Sequence, residues 1–185
     1  MFYKSFIGLF VFINLIVIAH ADEKQLIINK IIGINNITFN FVQTTNNKKE
    51  LGVCYLVFDN KLKCNYEDSK QKEIIINGNK LVVKHKRYDK IYFYPISKSP
   101  FIKIFNKTSL LNLIRESNYS LNKNIELIYI GQNKQKITIK FEKKSYNLLG
   151  WKVVDQLQNN INFSIDIKDI NSKINSEIFT IPSIN

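Results

Sequence analysis

Histidine is nearly absent from this chain, with two in 185 residues, His20 and His85. Glycine is limited to six residues, proline to three and tryptophan to one. Arginine occurs only at Arg87 and Arg115. Each shortage excludes something. Too few histidines are present for a His-rich zinc site. His85, at the basic strand end Val82-Val83-Lys84-His85-Lys86-Arg87, is the one histidine left downstream of the N-terminal segment, and it reads as an exposed strand residue. No Gly-rich phosphate loop can be drawn. Glu67-Asp68, followed by Ser69 and Lys70, reads as a turn. Asp166 and Asp169 flank Ile167-Lys168 without the third ligand a calcium loop needs. No catalytic group, metal site or cofactor is expected, so the chain reads as a binding protein and not an enzyme.

What is present begins at the N-terminus. After Lys4 the residues from Phe6 to Ile18 are hydrophobic except at Gly8 and Asn14, and Ala19-His20-Ala21 precedes the first acids, Asp22 and Glu23. A charged start, a short apolar run and an A-x-A site predict a cleavable signal peptide over residues 1–21. A membrane span would need about 20 apolar residues. Residues 22–185 are then expected to form one domain outside the cytoplasm, long enough to bury a core. Net charge is +12, but the lysines are scattered and not interleaved with stacking aromatics. They read as a solvated surface, and nucleic acid is not expected as a partner.

The strongest local signal is strand alternation. Ile37–Val42 alternates, and so does Lys61–Tyr66, with Leu62, Cys64 and Tyr66 on one face. Ile74-Ile75-Ile76 and Leu81-Val82-Val83 flank Asn77-Gly78-Asn79, a hairpin signal because Asn-Gly tolerates positive φ. Ile91–Tyr94 follows the turn Tyr88-Asp89-Lys90. Further strands are predicted at Ile125–Ile130, Lys136–Glu142, Leu149–Asp155, Ile161–Ile167 and Ile178–Ile181, giving an antiparallel meander. Helices are few: Asp22–Ile32, Pro100–Asn106 with Pro100 at its first turn, and Ser109–Arg115 capped by Thr108 or Ser109. The two short helices between the groups of strands are the candidate cover for a concave apolar sheet.

Several segments in order carry a resemblance. From Gly52 the chain reads G-x-x-x-L-V-F-D-N-K-L-K-C-N-Y, then E-I-I-I-N-G-N-K-L-V-V, Y-P-I-S-K-S-P-F-I-K-I-F, L-L-G-W-K-V-V-D and the closing F-T-I-P. Upstream, Phe39-Asn40-Phe41-Val42-Gln43 is similar to a first strand of F-x-Q type. This succession, from about Ile37 to Pro182, resembles the LolA family of lipoprotein carriers, especially alphaproteobacterial members. The resemblance implies a mainly β fold with a few helices: a bent antiparallel sheet forming an unclosed half-barrel, covered by short helices. It implies a periplasmic monomer that takes acylated lipoproteins from an inner-membrane lipoprotein-releasing ABC transporter and passes them to an outer-membrane receptor.

Carried over residue by residue, Phe101, Ile102 and Ile104 match the family's cavity-facing helix. Cys64 stands where the family has an aromatic at the cavity mouth, and Ile74 where it has an inward aliphatic. Alternation then adds Leu62, Tyr66 and Ile76 to the acyl-chain cavity. The chain departs from the family in two places. Phe58-Asp59-Asn60 replaces the Arg-Pro after the second strand, and the stretch between Tyr119 and Lys136 looks trimmed by one hairpin. Two other readings use the same residues: a carrier of another lipid or glycolipid on the same half-barrel, and an envelope module binding polyanions through its lysines.

Cys54 and Cys64 are the only cysteines, and an oxidising compartment would let them pair. A three-residue loop Phe58-Asp59-Asn60 sets Cys54 opposite Cys64, within reach of a bridge. A two-residue Asp59-Asn60 turn sets it opposite Asn65, with the thiols on different faces. Both registers are compatible with the sequence.

Overall fold

The structure, a computed structural model, describes residues 23–58, 60–96, 102–131, 135–154 and 159–182. The expected signal peptide, Asp59, Pro100 and Phe101 lie outside the described residues.

The chain forms two antiparallel meanders. The first comprises β1 (Asn36–Thr45), β2 (Lys48–Val57), β3 (Lys61–Tyr66), β4 (Lys72–Asn77), β5 (Lys80–His85) and β6 (Lys90–Pro95). The second comprises β7 (Asn118–Leu121), β8 (Ile125–Ile130), β9 (Lys136–Phe141), β10 (Leu148–Val154) and β11 (Asn160–Ile170). The first strand pairs with the last, so all 11 strands form one sheet in the order β6-β5-β4-β3-β2-β1-β11-β10-β9-β8-β7. Strands β6 and β7 are its two edges and do not meet, so the barrel is unclosed.

Turn chemistry sets the register. Asn46 and Asn47 both take positive φ (46° and 70°), the requirement of a type I′ turn, and Thr45 pairs with Lys48. Gly78, at φ 60°, joins β4 to β5 with Asn77 opposite Lys80. Bulges at Thr38/Phe39 and Leu148/Gly150 add local bend where β1 meets β11 and where β9 meets β10.

One face of the bent sheet is apolar from edge to edge. Leu56, Leu62, Ile76, Leu81 and Tyr94 follow one another across β2 to β6, and the next row runs Phe39, Cys54, Cys64, Ile74, Val83, Tyr92. From the other half come Phe163, Trp151, Ile139 and Leu127. The helices lie on this concave side: α1 (residues 23–32), α2 (Ile102–Phe105) and α3 (Lys107–Glu116). α1 buries Ile27, Ile28 and Ile31, and α3 buries Leu110, Leu113 and Ile114, in the same core. Polar ties fix α1 at its ends. Lys24 Nζ donates to the carbonyls of Arg115 (3.2 Å) and Ser117, and Lys30 Nζ donates to the carbonyl of Ser145 (2.5 Å).

Three local readings are corrected by the structure. Residues 178–181 form no strand: a 3-10 turn, Ser176–Phe179, stands there, with the Asn175 side chain accepting from Glu177 N at 3.0 Å. This segment crosses the outer side of β3 and β4, where no strand edge is free, and buries Phe179. The cap of α3 is Asn106, whose Oδ1 accepts from Ser109 N at 2.9 Å, not Thr108 or Ser109. His85 is half-buried, its ring 5.8 Å from that of Tyr92, because its place in β5 turns it to the concave side.

The loop between β2 and β3 is the three-residue one, with Val57 opposite Lys61. Cys54 therefore faces Cys64, with Cα atoms 4.1 Å apart and a disulfide between them. Closing a loop with a sequence separation of 10 contributes about 2–3 kcal/mol by restricting the unfolded chain. The double variant Cys54→Ala/Cys64→Ala should lose that stability in urea unfolding, and reductant should shift the wild type but not the variant. A wild-type midpoint indifferent to reductant would contradict this.

Candidate functional site

Across the sheet, β3, β4 and β5 supply one wall of an apolar cavity: Leu62, Cys64 and Tyr66, then Ile74 and Ile76, then Leu81. Trp151 of β10 and Phe163 of β11 form the facing wall, with Phe105 of α2. Gln43 of β1 and Lys72 of β4 supply the polar part of the lining. The cavity volume is about 180 Å³. A larger groove of about 680 Å³ lies at the sheet edge, bounded by Asn79, Lys80, Leu81, Phe93, Tyr94 and Pro95 with Ile181 and Pro182, so Leu81 borders both. Phe93 sits opposite the outward-facing Val82, and the Ile181-Pro182 segment after the 3-10 turn borders this groove. The cavity under α2 is the stronger candidate, because a mostly apolar enclosure with a few convergent polar groups is the usual form of a ligand site.

Of the residues expected there, Leu62, Cys64, Tyr66, Ile74 and Ile76 come together in the wall. Ile104 is buried in the common core, and from α2 it is Phe105 that lines the cavity. Phe101 and the Ile102 side chain lie outside the described part. Sequence reading missed Gln43, Lys72, Leu81, Phe105, Trp151 and Phe163. Leu81 was findable, since the Asn-Gly turn fixes it opposite Ile76.

The aromatic floor owes its closeness to a missing side chain. Phe41 and Tyr66 belong to β1 and β3, and Gly52 of β2 stands between them in the register. Their rings meet edge to face over it, 4.8 Å apart. A Cβ on Gly52 would lie 2.8 Å from the Phe41 ring and 2.1 Å from the Asn65 carbonyl oxygen. Phe41 then stacks on Phe163 (4.7 Å), Phe163 on Trp151 (4.7 Å), and Trp151 meets Phe105 edge-on (5.8 Å).

The polar groups at this end satisfy one another. Tyr66 Oη donates to Gln43 Oε1 at 2.8 Å, and Gln43 Nε2 donates to Thr45 Oγ1 at 3.2 Å. Burial, with the negative charges of Glu50 and Asp68, pushes the Tyr66 hydroxyl above its ordinary range, so it remains a neutral donor. Lys72 Nζ sits 3.7 Å over the Tyr66 ring and pairs with Glu50 at 2.8 Å. Burial alone would raise the Glu50 carboxyl, but the hydrogen bonds and charges of Lys72 and Lys48 outweigh it and hold it below its ordinary value. The wall thus offers no unpaired charge to a ligand. Among the described residues no group of three or more His, Cys, Asp or Glu is gathered that could hold a metal, and no helix is long and apolar enough to cross a membrane.

The architecture is shared widely at low identity. An uncharacterized conserved protein from Thermus thermophilus superposes with a TM-score of 0.54 at 8% identity, covering 88% of this chain and 94% of that one. A DUF1329 family protein from Desulfovibrio piger gives 0.51 at 7%, over 85% and 95%. The structure of the MucA/MucB complex of Pseudomonas aeruginosa gives 0.50 at 8%, over 88% of this chain and 61% of that one. At these identities the likeness is one of fold. No curated protein sequence matches the chain. The family model described as outer membrane lipoprotein carrier protein LolA matches residues 33–182. The chain belongs to the LolA family.

Proposed function

We propose that this protein is a periplasmic carrier that shields the acyl chains of lipoproteins in its apolar cavity and moves them between membranes, without catalysis. The observation that carries this reading is the cavity itself: apolar residues from both halves of one sheet face each other under α2, and Tyr66, Gln43 and Lys72 are already paired with protein groups. Such a wall holds hydrocarbon by area and not by direction, which suits grip without locking. The need for a carrier follows from magnitude. At about 0.8 kcal/mol per methylene, three chains of roughly 15 methylenes each cost about 36 kcal/mol to bring into water, so unaided transfer does not occur.

The cavity's 180 Å³ is smaller than the roughly 300–1,000 Å³ of typical ligand sites. On this reading acyl chains enter when α2, whose Phe105 lines the cavity, moves aside. The donor on this reading is an inner-membrane lipoprotein-releasing ABC transporter, the acceptor is an outer-membrane receptor, and the carrier works as a monomer. Native mass spectrometry of the protein purified from the periplasm without detergent tests it: bound acylated lipoprotein is the expected adduct. A second reading, a carrier of another lipid or glycolipid, rests on the same apolar cavity. It predicts a lipid adduct without polypeptide. Protein that never carries an acylated ligand would overturn both.

A further inference from the structure

We propose that one open edge of the half-barrel, β6 with the turn that leads into it, docks the protein on an anionic lipid bilayer. The proposal adds a surface to the carrier reading and does not depend on what the cavity holds. Among the described residues β6 pairs with β5 on one side and has no strand on the other. Tyr88, Tyr92, Phe93 and Tyr94 are 53%, 42%, 42% and 49% exposed. The other large apolar side chains exposed among the described residues are leucines and isoleucines, so the exposed aromatics gather at this edge. Cations bracket them. Lys80 stands opposite Pro95 at one end of β6, and Arg87 and Lys90 stand at the other, in and after the 3-10 turn Lys86–Tyr88. All three are exposed, and among the described residues none has a carboxylate partner. Nearby, Glu73 is already held by Lys63 at 3.2 Å and Lys86 at 2.6 Å. Asp89 is the one acid in residues 80–95.

Tyrosine rings, apolar in the body and wet at the tip, settle at the headgroup level of a bilayer, and free cations are drawn to anionic lipid there. This edge offers both. The aromatics lie on both sides of β6, Tyr92 and Tyr94 with the concave face and Phe93 with the outer one, so a headgroup layer would surround the edge as it enters. A strand from another protein is a poorer fit. Pro95 has no N–H to donate and Lys90 carries charge to the edge, two devices that discourage further pairing. The unpaired backbone groups of the edge also limit its depth, because water and phosphate can satisfy them and hydrocarbon cannot. Docked this way, the groove between β6 and Ile181-Pro182 meets the lipid, and Leu81 joins that groove to the cavity.

The test is cosedimentation of the protein with vesicles of phosphatidylcholine alone and of equal parts phosphatidylglycerol and phosphatidylcholine. The protein should bind the mixed vesicles, less so as salt is raised, and bind the neutral ones weakly. Lys80→Gln/Arg87→Gln/Lys90→Gln should weaken binding by about a hundredfold, at about fivefold per charge near an anionic surface. Phe93→Ser/Tyr94→Ser leaves the charge unchanged and should weaken it by about tenfold. Lys143→Gln/Lys144→Gln/Lys152→Gln removes the same charge from exposed positions elsewhere and should bind like wild type. Equal weakening by that third variant, or wild-type binding by the aromatic variant, would mean general attraction to polyanions and overturn the docking edge. A wild type that ignores the mixed vesicles would overturn it too, and a dimer lost in Phe93→Ser/Tyr94→Ser would then assign the edge to a second copy. These outcomes leave the carrier reading standing, since that reading is decided by the bound ligand.

Discussion

Leu81→Asp should fold and lose the capacity to extract acylated ligand, by about a hundredfold or more. Leu81 is partly buried at the cavity wall, between Ile76 on β4 and Tyr94 on β6. No basic residue shares its row of the concave face, so a carboxylate there would sit unpaired against Ile76 and Leu62. Bringing acyl chains over an uncompensated charge costs several kcal/mol. About 3 kcal/mol already corresponds to a hundredfold change. Ile74 is a less decisive position, because Lys72 lies two residues away on the same face and could neutralise a carboxylate. Leu81→Met, neutral and similar in volume, should keep wild-type extraction. The measurement is release of a triacylated lipoprotein from membrane vesicles, with circular dichroism to verify the fold. A folded Leu81→Asp that extracts at the wild-type rate would refute the assignment of this cavity.

Gly150→Ala should be among the most damaging single-methyl changes in the chain. Gly150 stands at the bulge of β10 with φ 138°, where an L side chain is strained. An added Cβ would lie 1.9 Å from the Phe163 carbonyl oxygen and 3.0 Å from Ser164 Cα. Both are backbone, so no rotamer change relieves the clash and β10 must part from β11. That separation would also disturb Trp151 and Phe163, the stacked pair of the cavity wall. A loss of about 3–5 kcal/mol is expected, a large share of a marginal total. It corresponds to a drop in Tm of about 10–15 °C. Thermal unfolding checks this, and a variant melting within a few degrees of wild type would show that the bulge yields.

The part of the site legible in the sequence is the part made by local pairing. A two-residue period put Leu62, Cys64 and Tyr66 on one face, and the Asn-Gly turn aligned Ile74 and Ile76 beside them. The Cys54–Cys64 register was reduced to two loops, and only the pairing of Val57 with Lys61 in three dimensions decided between them. Less legible was whatever depended on distant closure. Trp151 and Phe163 reach Leu62 only because β1 pairs with β11, in a register that runs from Ile37–Ile170 to Thr45–Ile161 and puts Phe163 opposite Gln43. Alternation alone gives no hint of that partner. α2 is four residues long, too short for helical periodicity to tell Phe105 from Ile104 as the inward residue. β7, Asn-Tyr-Ser-Leu, is a short polar edge strand whose hydrogen bonds to β8 define it more than its side chains do.

If acyl chains lie on the concave face, between β3–β5 and β10–β11, a label on the chain must mark that face. The direct measurement is photo-crosslinking with a triacylated lipopeptide carrying a diazirine midway along one chain, followed by peptide mapping of the adducts. The expected adducts are at Leu62, Ile74, Ile76, Leu81 or Phe105. Adducts at the outward residues Tyr55, Ile75 or Phe93, or equal labelling of both faces, would contradict it.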